Sequence, residues 1–165
     1  MAKKSKQVKT WVTDTIRELL NEAEIHYEFH AKDNVFTFIL PCENTDLHMV
    51  IHADDEGEWF RCYAALPVRF PKERFAELLF TVNTINLQRT AACLRLNPES
   101  GIISASMLVN VDDGCIGPKM FLCNMHELVR LLDEEVPELM RVAYADLSSG
   151  QFPDYNIFDD THTEN

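Results

Sequence analysis

Short runs of apolar residues, each about as long as one β-strand, restrict the fold of this sequence more than any other feature. Between residues 25 and 30, apolar Ile25, Tyr27 and Phe29 alternate with polar residues, which is the period of a strand with one solvated face. Three further strands are predicted at residues 35–40, 47–53 and 58–66. Short segments rich in Asn, Asp and Gly separate them, and connections of this kind join antiparallel neighbours. This part of the chain is therefore predicted to form an antiparallel meander.

Helical periodicity flanks the predicted strands. Apolar residues recur at three- and four-residue steps over residues 8–23 and again over residues 75–85, which predicts two amphipathic helices. A third helical pattern begins near Pro118. Because Pro137 has no backbone N–H and clashes inside a helix, we expect a break at residues 133–136 and a new helix after it.

A hairpin is predicted between the second and third helices. Its strands, at residues 91–96 and 102–109, are joined by Asn97-Pro98-Glu99-Ser100-Gly101, in which Pro and Gly suit the geometry of a turn. The predicted element order is α-β-β-β-β-α-β-β-α. The expected fold class is therefore α+β, with an antiparallel sheet of about six strands and the helices packed on one of its faces.

Both ends of the chain differ in composition from its middle. Residues 1–9 form a basic arm that carries four lysines. Residues 10–147 are predicted to form a single domain, because neither a repeat nor a linker divides them. Residues 148–165 form an acidic tail with three aromatic residues, and we expect this tail either to dock on the domain or to fray.

Charge, hydropathy and cysteine usage narrow the possible partners and locations. A net charge of −12 opposes the approach of a phosphate backbone, so no nucleic-acid partner is expected. No apolar run approaches the roughly 18 residues that a membrane span needs, so no membrane partner is expected. Five cysteines without a CxxC pair argue against a disulfide framework and favour a reducing compartment. A cytoplasmic location is therefore predicted.

Two motifs carry a resemblance to a known family. Val82-Asn83-Thr84-Ile85-Asn86 closes the predicted middle helix, and Leu94-Arg95-Leu96-Asn97-Pro98-Glu99-Ser100-Gly101-Ile102-Ile103 forms the hairpin behind it. With the element order, these motifs resemble the bacterial YbjN family, whose members are similar in fold to type III secretion chaperones. The resemblance covers residues 10–146. It implies a homodimeric, non-enzymatic domain with a regulatory or chaperone-like role.

The sequence shows no pattern that is typical of catalysis or of cofactor binding. It has only five glycines, and it lacks a phosphate-binding loop, a clustered set of metal ligands and a GxSxG elbow. We therefore expect no enzymatic activity, no cofactor and no bound metal. An alternative hypothesis is a metal- or ligand-responsive sensor that uses His48, His52 or Cys115. Such a metal site would require His30 to pair across strands with His48 or His52.

Cysteines and acidic segments each have a simple structural interpretation. Cys42, Cys62 and Cys93 have apolar neighbours and are predicted to be small core residues. Cys115 lies in a predicted loop, and it is the thiol that we expect to react. The acidic segments 54–57 and 112–114 lack the ligand spacing of an EF-hand and are predicted to be turns.

The strongest functional signal is that the predicted strands are apolar on both faces, so that both faces need cover. Helices are expected to screen only one face, which leaves the other to a second molecule, to the tail or to partial exposure. Trp, Arg and Tyr are enriched at binding hot spots, so the face that carries them is assigned to the partner or to the dimer. The predicted residues are Trp59, Arg61, Tyr63, Val35, Ile39, Val50 and Arg95, with Thr37, His48, Ser104 and Ser106 on the same face. The alternative is an ordinary amphipathic surface.

Asn83 and Asn86 are unusual because asparagine is unfavourable inside a helix. Two explanations stay open for this helix-end motif: the amides satisfy the chain that enters the next strand, or they contact a partner. The expected function is that of a homodimeric binding module. Its expected partners are a second copy of the chain and an unidentified protein or peptide. The acidic composition favours basic or aggregation-prone clients.

Overall fold

The structure is a computed structural model and describes residues 11–89, 91–111 and 116–144. The predicted basic arm, the predicted tail, the acidic segment 112–114 and Cys115 lie outside the described residues. The helices are α1 (Trp11–Glu22), α2 (Phe75–Leu87) and α3 (Pro118–Tyr144), and a 3₁₀ turn at Lys72–Arg74 precedes α2. The strands are β1 (Glu28–His30), β2 (Val35–Pro41), β3 (Asp46–Asp54), β4 (Trp59–Arg69), β5 (Cys93–Leu96) and β6 (Ile102–Asn110).

The six strands form one sheet in the order β1-β2-β3-β4-β6-β5, and every neighbouring pair is antiparallel. The prediction of an α+β fold with this element order and a six-stranded antiparallel sheet is confirmed. None of the described helices combines the length and the apolar character that crossing a membrane requires.

Helices cover one face of the sheet. α1 packs on β3, α3 packs on β4 and β6, and α2 packs on β5. Alternate residues of the central strands point toward these helices and are fully buried, among them Phe36, Ile51 and Phe60. The ring of Phe60 meets that of Phe121 in α3, with the two centroids 5.9 Å apart. Because each such side chain contributes roughly 1.5 to 3 kcal/mol on burial, the core lies in this layer.

The first strand is shorter than the alternation from Ile25 predicts. Glu24 adopts a left-handed φ of 56°, and the backbone N–H of Ile25 donates to the carbonyl of Leu20 at 2.9 Å. This arrangement closes the C-terminus of a helix. The residues after α1 therefore finish the helix, and pairing with β2 begins only at Glu28.

The predicted helix break before Pro137 is wrong, because α3 runs without interruption and contains Pro137. Proline leaves the carbonyl four residues earlier, that of Asp133, without its helical donor. The side-chain amide of Asn44, in the turn between β2 and β3, donates to this carbonyl at 3.1 Å. The Asp133 carboxylate accepts the backbone N–H groups of Glu43 and Asn44 at 3.3 and 3.0 Å. A tertiary contact thus supplies the donor that the helix lacks.

We expect Asn44→Ala to lower the free energy of unfolding by about 1 kcal/mol, because the Asp133 carbonyl loses its donor. In a Pro137→Ala background the restored N–H bonds to that carbonyl, so the same substitution should cost less. Urea unfolding followed by circular dichroism, on the four proteins of this double-mutant cycle, measures both costs. Equal costs in the two backgrounds would contradict this role for Asn44.

Asp55, in the acidic turn between β3 and β4, caps the first turn of α1. Its two carboxylate oxygens accept the backbone N–H of Thr13 at 2.9 Å and the Thr13 hydroxyl at 2.7 Å. The first N–H groups of a helix lack partners inside the helix, so this carboxylate satisfies a group that would otherwise be buried unpaired. The contact also fixes the turn that leads into Trp59 against the helix layer.

Candidate functional site

The second face of the sheet, called the open face below, is not covered by any helix within the described part of the chain. Its residues alternate with the buried core residues along each strand. All the residues predicted for the functional face lie on it: Val35, Ile39, Val50, Trp59, Arg61, Tyr63 and Arg95. Cross-strand pairing sets Val50 beside Tyr63, and Ile39 is 62% exposed. That these residues bind a partner stays a prediction.

Trp59, Arg61 and Tyr63 form a ladder along β4. The guanidinium carbon of Arg61 lies 5.5 Å from the ring centroid of Trp59 and 5.9 Å from that of Tyr63. A guanidinium nitrogen also donates to the Tyr63 hydroxyl at 3.1 Å. Cation–π contacts at exposed sites contribute about 0.5 to 1 kcal/mol each. The ladder therefore orders three side chains of hot-spot type in advance, which reduces the entropy that binding costs.

Trp59 is held from two further sides. The ring of His52 on β3 lies edge-on to the indole, with the two centroids 5.1 Å apart and the planes at 86°. A Cβ atom on Gly57 would lie 2.5 Å from the indole nitrogen of Trp59. The absence of a side chain at Gly57 thus leaves the space that the indole fills, and the turn and the strand together fix the position of Trp59.

The half of the open face formed by β4, β6 and β5 is locally basic, although the whole chain has a net charge of −12. Among the described residues, the charged side chains of this half are Arg61 and Arg69 on β4 and Arg95 on the edge strand β5. The acidic residues of the open face lie on its other half: Glu28 is on the edge strand β1, and Asp46 and Asp54 are at the two ends of β3. The net charge of the chain therefore does not describe the charge of the surface that carries the predicted residues.

Histidines also lie on the open face, but they do not form the pairs that the sensor hypothesis requires. His30 and His52 flank Val35 on opposite sides, so two strand spacings of about 5 Å each separate their backbones. His48 lies opposite Ile39, farther along β2. His30 Nε2 instead lies 3.1 Å from the hydroxyl oxygen of Thr37. Within the described residues, no group of three or more His, Cys, Asp or Glu side chains is arranged to hold a metal ion.

The prediction that Cys93 is a core residue is wrong, since it is exposed on the open face. Leu94 and Leu96 occupy the core face of β5. Cys93 is one residue away from Leu94, and adjacent residues of a strand point to opposite faces. Cys62 is buried as predicted, and burial raises the pKa of its thiol to about 12. Cys42 is partly buried; burial, followed by the charge of two nearby carboxylates, raises the pKa of its thiol. Cys123 is exposed on α3.

We expect iodoacetamide at pH 8 to modify Cys93 and Cys123 in the native protein about a hundredfold faster than Cys62, because the thiolate is the nucleophile and Cys62 stays protonated and covered. Peptide mass mapping over a time course measures each rate. Since the Cys62 thiol ionises more readily in the unfolded chain, the free energy of unfolding should also fall as the pH rises above 9.0. Native modification of Cys62 at the rate of Cys93 would contradict this assignment.

Asn86 satisfies the strand that follows α2. Its side-chain amide donates to the carbonyl of Leu94 at 3.0 Å, and the backbone N–H of Leu94 donates to the Asn86 side-chain oxygen at 2.8 Å. For Asn86 the structural explanation of the helix-end motif therefore holds. Asn83 is exposed, and a partner contact at Asn83 stays a prediction.

α2 presents a second apolar surface, which the sequence interpretation missed. Its exposed residues follow helical spacing and are called the α2 stripe: Ala76, Leu79, Phe80, Asn83 and Leu87. Leu79, Phe80 and Leu87 are 51%, 42% and 80% exposed. The signal in the sequence is that α2 has apolar residues on more than one side and Glu77 as its single charged residue. A helix of this kind is normally covered all round.

Comparison with known proteins supports the fold and identifies relatives. The YbjN family model, described as "Putative bacterial sensory transduction regulator", matches residues 13–115. A search of curated protein sequences finds no match. The chain is similar in structure to E. coli YbjN, described as "a putative transcription regulator", with a TM-score of 0.58 and 13% identity over 76% of this chain and 88% of that chain.

Two protein complexes also contain similar chains. For the HopA1-SchA chaperone-effector complex the TM-score is 0.53, with 13% identity over 73% of this chain and 89% of that chain. For the ExsC-ExsE complex the TM-score is 0.57, with 12% identity over 82% of this chain and 98% of that chain. At this level of identity the similarity establishes a shared fold.

Proposed function

The chain belongs to the YbjN family, and on that basis we propose that it is a non-enzymatic homodimer that binds a segment of another polypeptide on the open face. The observation that carries this proposal is the pre-ordered ladder of Trp59, Arg61 and Tyr63, half-buried side chains on the sheet face that no described helix covers. These are the residue types at which binding energy concentrates. The similar chain in a chaperone-effector complex supports a protein partner for a domain of this fold.

The charge of the half of the open face formed by β4, β6 and β5 favours a partner segment that is acidic and partly apolar. Arg61 and Arg95 attract carboxylates, while Val50 and Ile39 supply apolar contact area on the β3 and β2 side of Arg61. A basic client, which the net charge of the chain favours, would instead meet like charges on this half of the surface. The local charge outweighs the net charge because the Debye length is only about 8 Å at physiological ionic strength.

The second copy of the chain is assigned to the α2 stripe. Its exposed Leu79, Phe80 and Leu87 are apolar and the stripe holds no charged residue, so two copies can meet there without burying a charge. A two-fold contact also brings the Asn83 side chains of both copies near the axis, where a polar residue fixes the register of packed helices. This division leaves both open faces of the dimer free for partner segments.

Binding of an unfolded acidic polypeptide tests the proposal directly. The probe is reduced, carboxymethylated α-lactalbumin with a fluorescent label, and fluorescence anisotropy measures its binding to the full chain. We expect saturable binding that weakens with added salt and that is lost in an Arg61→Gln, Arg95→Gln double variant. A matched Arg17→Gln variant, altered on α1 outside the open face, should bind as the parent does. Binding that ignores both arginines would rule out the open face as the site.

A further inference from the structure

The segment that follows α3 is chemically complementary to the open face. Residues 145–165 contain five acidic residues, Asp146, Asp154, Asp159, Asp160 and Glu164, and neither lysine nor arginine. The same segment contains Phe152, Tyr155, Ile157 and Phe158. An acidic segment with aromatic residues is the kind of partner that the basic half of this face, with the half-buried Trp59 and Tyr63, selects.

Arginines on the open face continue to the end of the sheet where α3 finishes. Arg69, the last residue of β4, is exposed and pairs with Ile102, and Arg95 and Arg61 lie farther along the same face. The end of α3 lies close to this edge, because Arg74, shortly after β4, donates to the carbonyl of Val142. The chain thus leaves α3 at the end of the sheet that carries Arg69, the first of three arginines.

The length of the segment is sufficient to reach the centre of the open face. Residues 69 and 61 are eight positions apart on one strand, which corresponds to about 26 Å. The sheet and the helix layer together add roughly 10 to 20 Å to the path from Tyr144. The 21 residues of the segment span up to about 70 Å when extended, so Asp154 to Asp160 can lie over Arg95 and Arg61.

We propose that residues 145–165 occupy the open face of their own chain and compete there with partner segments. The competition rests on the proposed function of the open face, whereas the position of the segment does not. Because the segment is tethered, its effective concentration is in the millimolar range, and a free partner must displace it before it binds. The domain therefore carries a built-in competitor whose strength depends on its charge.

Disulfide trapping in the full chain tests the position of the segment. Cys42, Cys115 and Cys123 are replaced by serine, Cys93 stays on the open face, and Asn156→Cys introduces a thiol into the segment. The matched control keeps Cys123, on the exposed side of α3, and replaces Cys93 by serine. On mild oxidation we expect the bond from residue 156 to Cys93 to form within one chain at least tenfold faster than the bond to Cys123.

Charge substitutions show whether the proposed contacts guide the segment. Asp154→Asn, Asp159→Asn and Asp160→Asn together should slow trapping at Cys93 about tenfold, as should Arg61→Gln with Arg95→Gln. Equal trapping at Cys93 and Cys123, or a bond formed only between two chains, would overturn the proposal. The triple Asn variant should also bind the labelled lactalbumin about tenfold more tightly than the parent, because its competitor is weakened.

The two readouts separate the failure of this inference from the failure of the proposed function. If trapping is selective for Cys93 but no variant binds the lactalbumin probe, the segment lies on the open face and the proposed function is wrong. If the probe binds through Arg61 and Arg95, and if the triple Asn variant changes neither that binding nor the rate of trapping at Cys93, the proposed function stands and the inference is wrong.

Discussion

Trp59→Ala is expected to weaken binding of the unfolded probe by about 30-fold or more, which corresponds to about 2 kcal/mol at a hot spot. The indole lies on the exposed side of β4 and is fixed by His52, by Arg61 and by the space over Gly57. Its removal therefore takes away a large contact surface and also releases Arg61 from one of its two ring contacts. Fluorescence anisotropy at constant salt measures the change in affinity.

The same substitution should leave most of the folding stability intact. The contacts that it removes inside the chain are one cation–π and one edge-on aromatic contact, which together amount to about 1 to 2 kcal/mol. Phe60→Ala is the matched control, because Phe60 is the next residue of the same strand and points into the core with no exposed surface. It should cost about 3 to 5 kcal/mol of stability and leave binding by the folded fraction unchanged.

Urea unfolding on both variants completes the comparison. If Trp59→Ala costs as much stability as Phe60→Ala while the folded fraction still binds the probe, the binding surface is not the open face. If both variants bind normally, the ladder on β4 has no part in binding.

Strand alternation predicted the sheet from the sequence because it reports directly on which side of a strand faces the core. On β4, the even-numbered Phe60 and Cys62 face the core, and the odd-numbered Trp59 and Arg61 face the other side. The alternation of odd and even positions therefore assigns the side chains of the whole strand to one face or the other. The short segments rich in Asn, Asp and Gly predicted that neighbouring strands are antiparallel. The positions of the predicted open-face residues follow from the same alternation, repeated on β2, β3 and β5.

Features that depend on contacts between distant residues were not predictable in this way. Local rules place a break before Pro137, and only Asn44, 93 positions earlier in the chain, supplies the donor that keeps α3 continuous. Cys93 has apolar residues beside it in the sequence, as a core cysteine does, and only the register of the edge strand β5 turns it outward. The local charge of the open face is likewise invisible in the net charge, because it arises from which strands become neighbours.

The α2 stripe was missed for a different reason. Its apolar residues were read as one face of an amphipathic helix, but Leu78 and Val82 already fill the buried side of α2. Leu79, Phe80 and Leu87 then lie on the outer side. The pattern that reveals a second surface is the near absence of charge around the whole helix, which a search for one apolar stripe does not measure.

Leu79→Arg combined with Leu87→Arg is expected to convert the protein from a dimer to a monomer at micromolar concentration. The parent should have a solution mass near twice the 19.0 kDa of one chain. In a two-fold contact each substitution acts twice, so the double variant introduces four cations into a surface that otherwise holds no charge. If each of the two substitutions costs about 2 kcal/mol, summed over both copies, the dimer should weaken about a thousandfold. Analytical ultracentrifugation over a concentration series measures this change.

Leu122→Arg is the matched control for the dimer surface, because Leu122 is a 47% exposed leucine on α3, close to the 51% exposure of Leu79 on α2. The substitution makes the same chemical change away from the stripe, so the dimer should persist. Probe binding separates the two surfaces: the monomeric double variant keeps an intact open face and should still bind one probe segment per chain. A dimer that survives both arginines on α2 would exclude the stripe as the surface for the second copy.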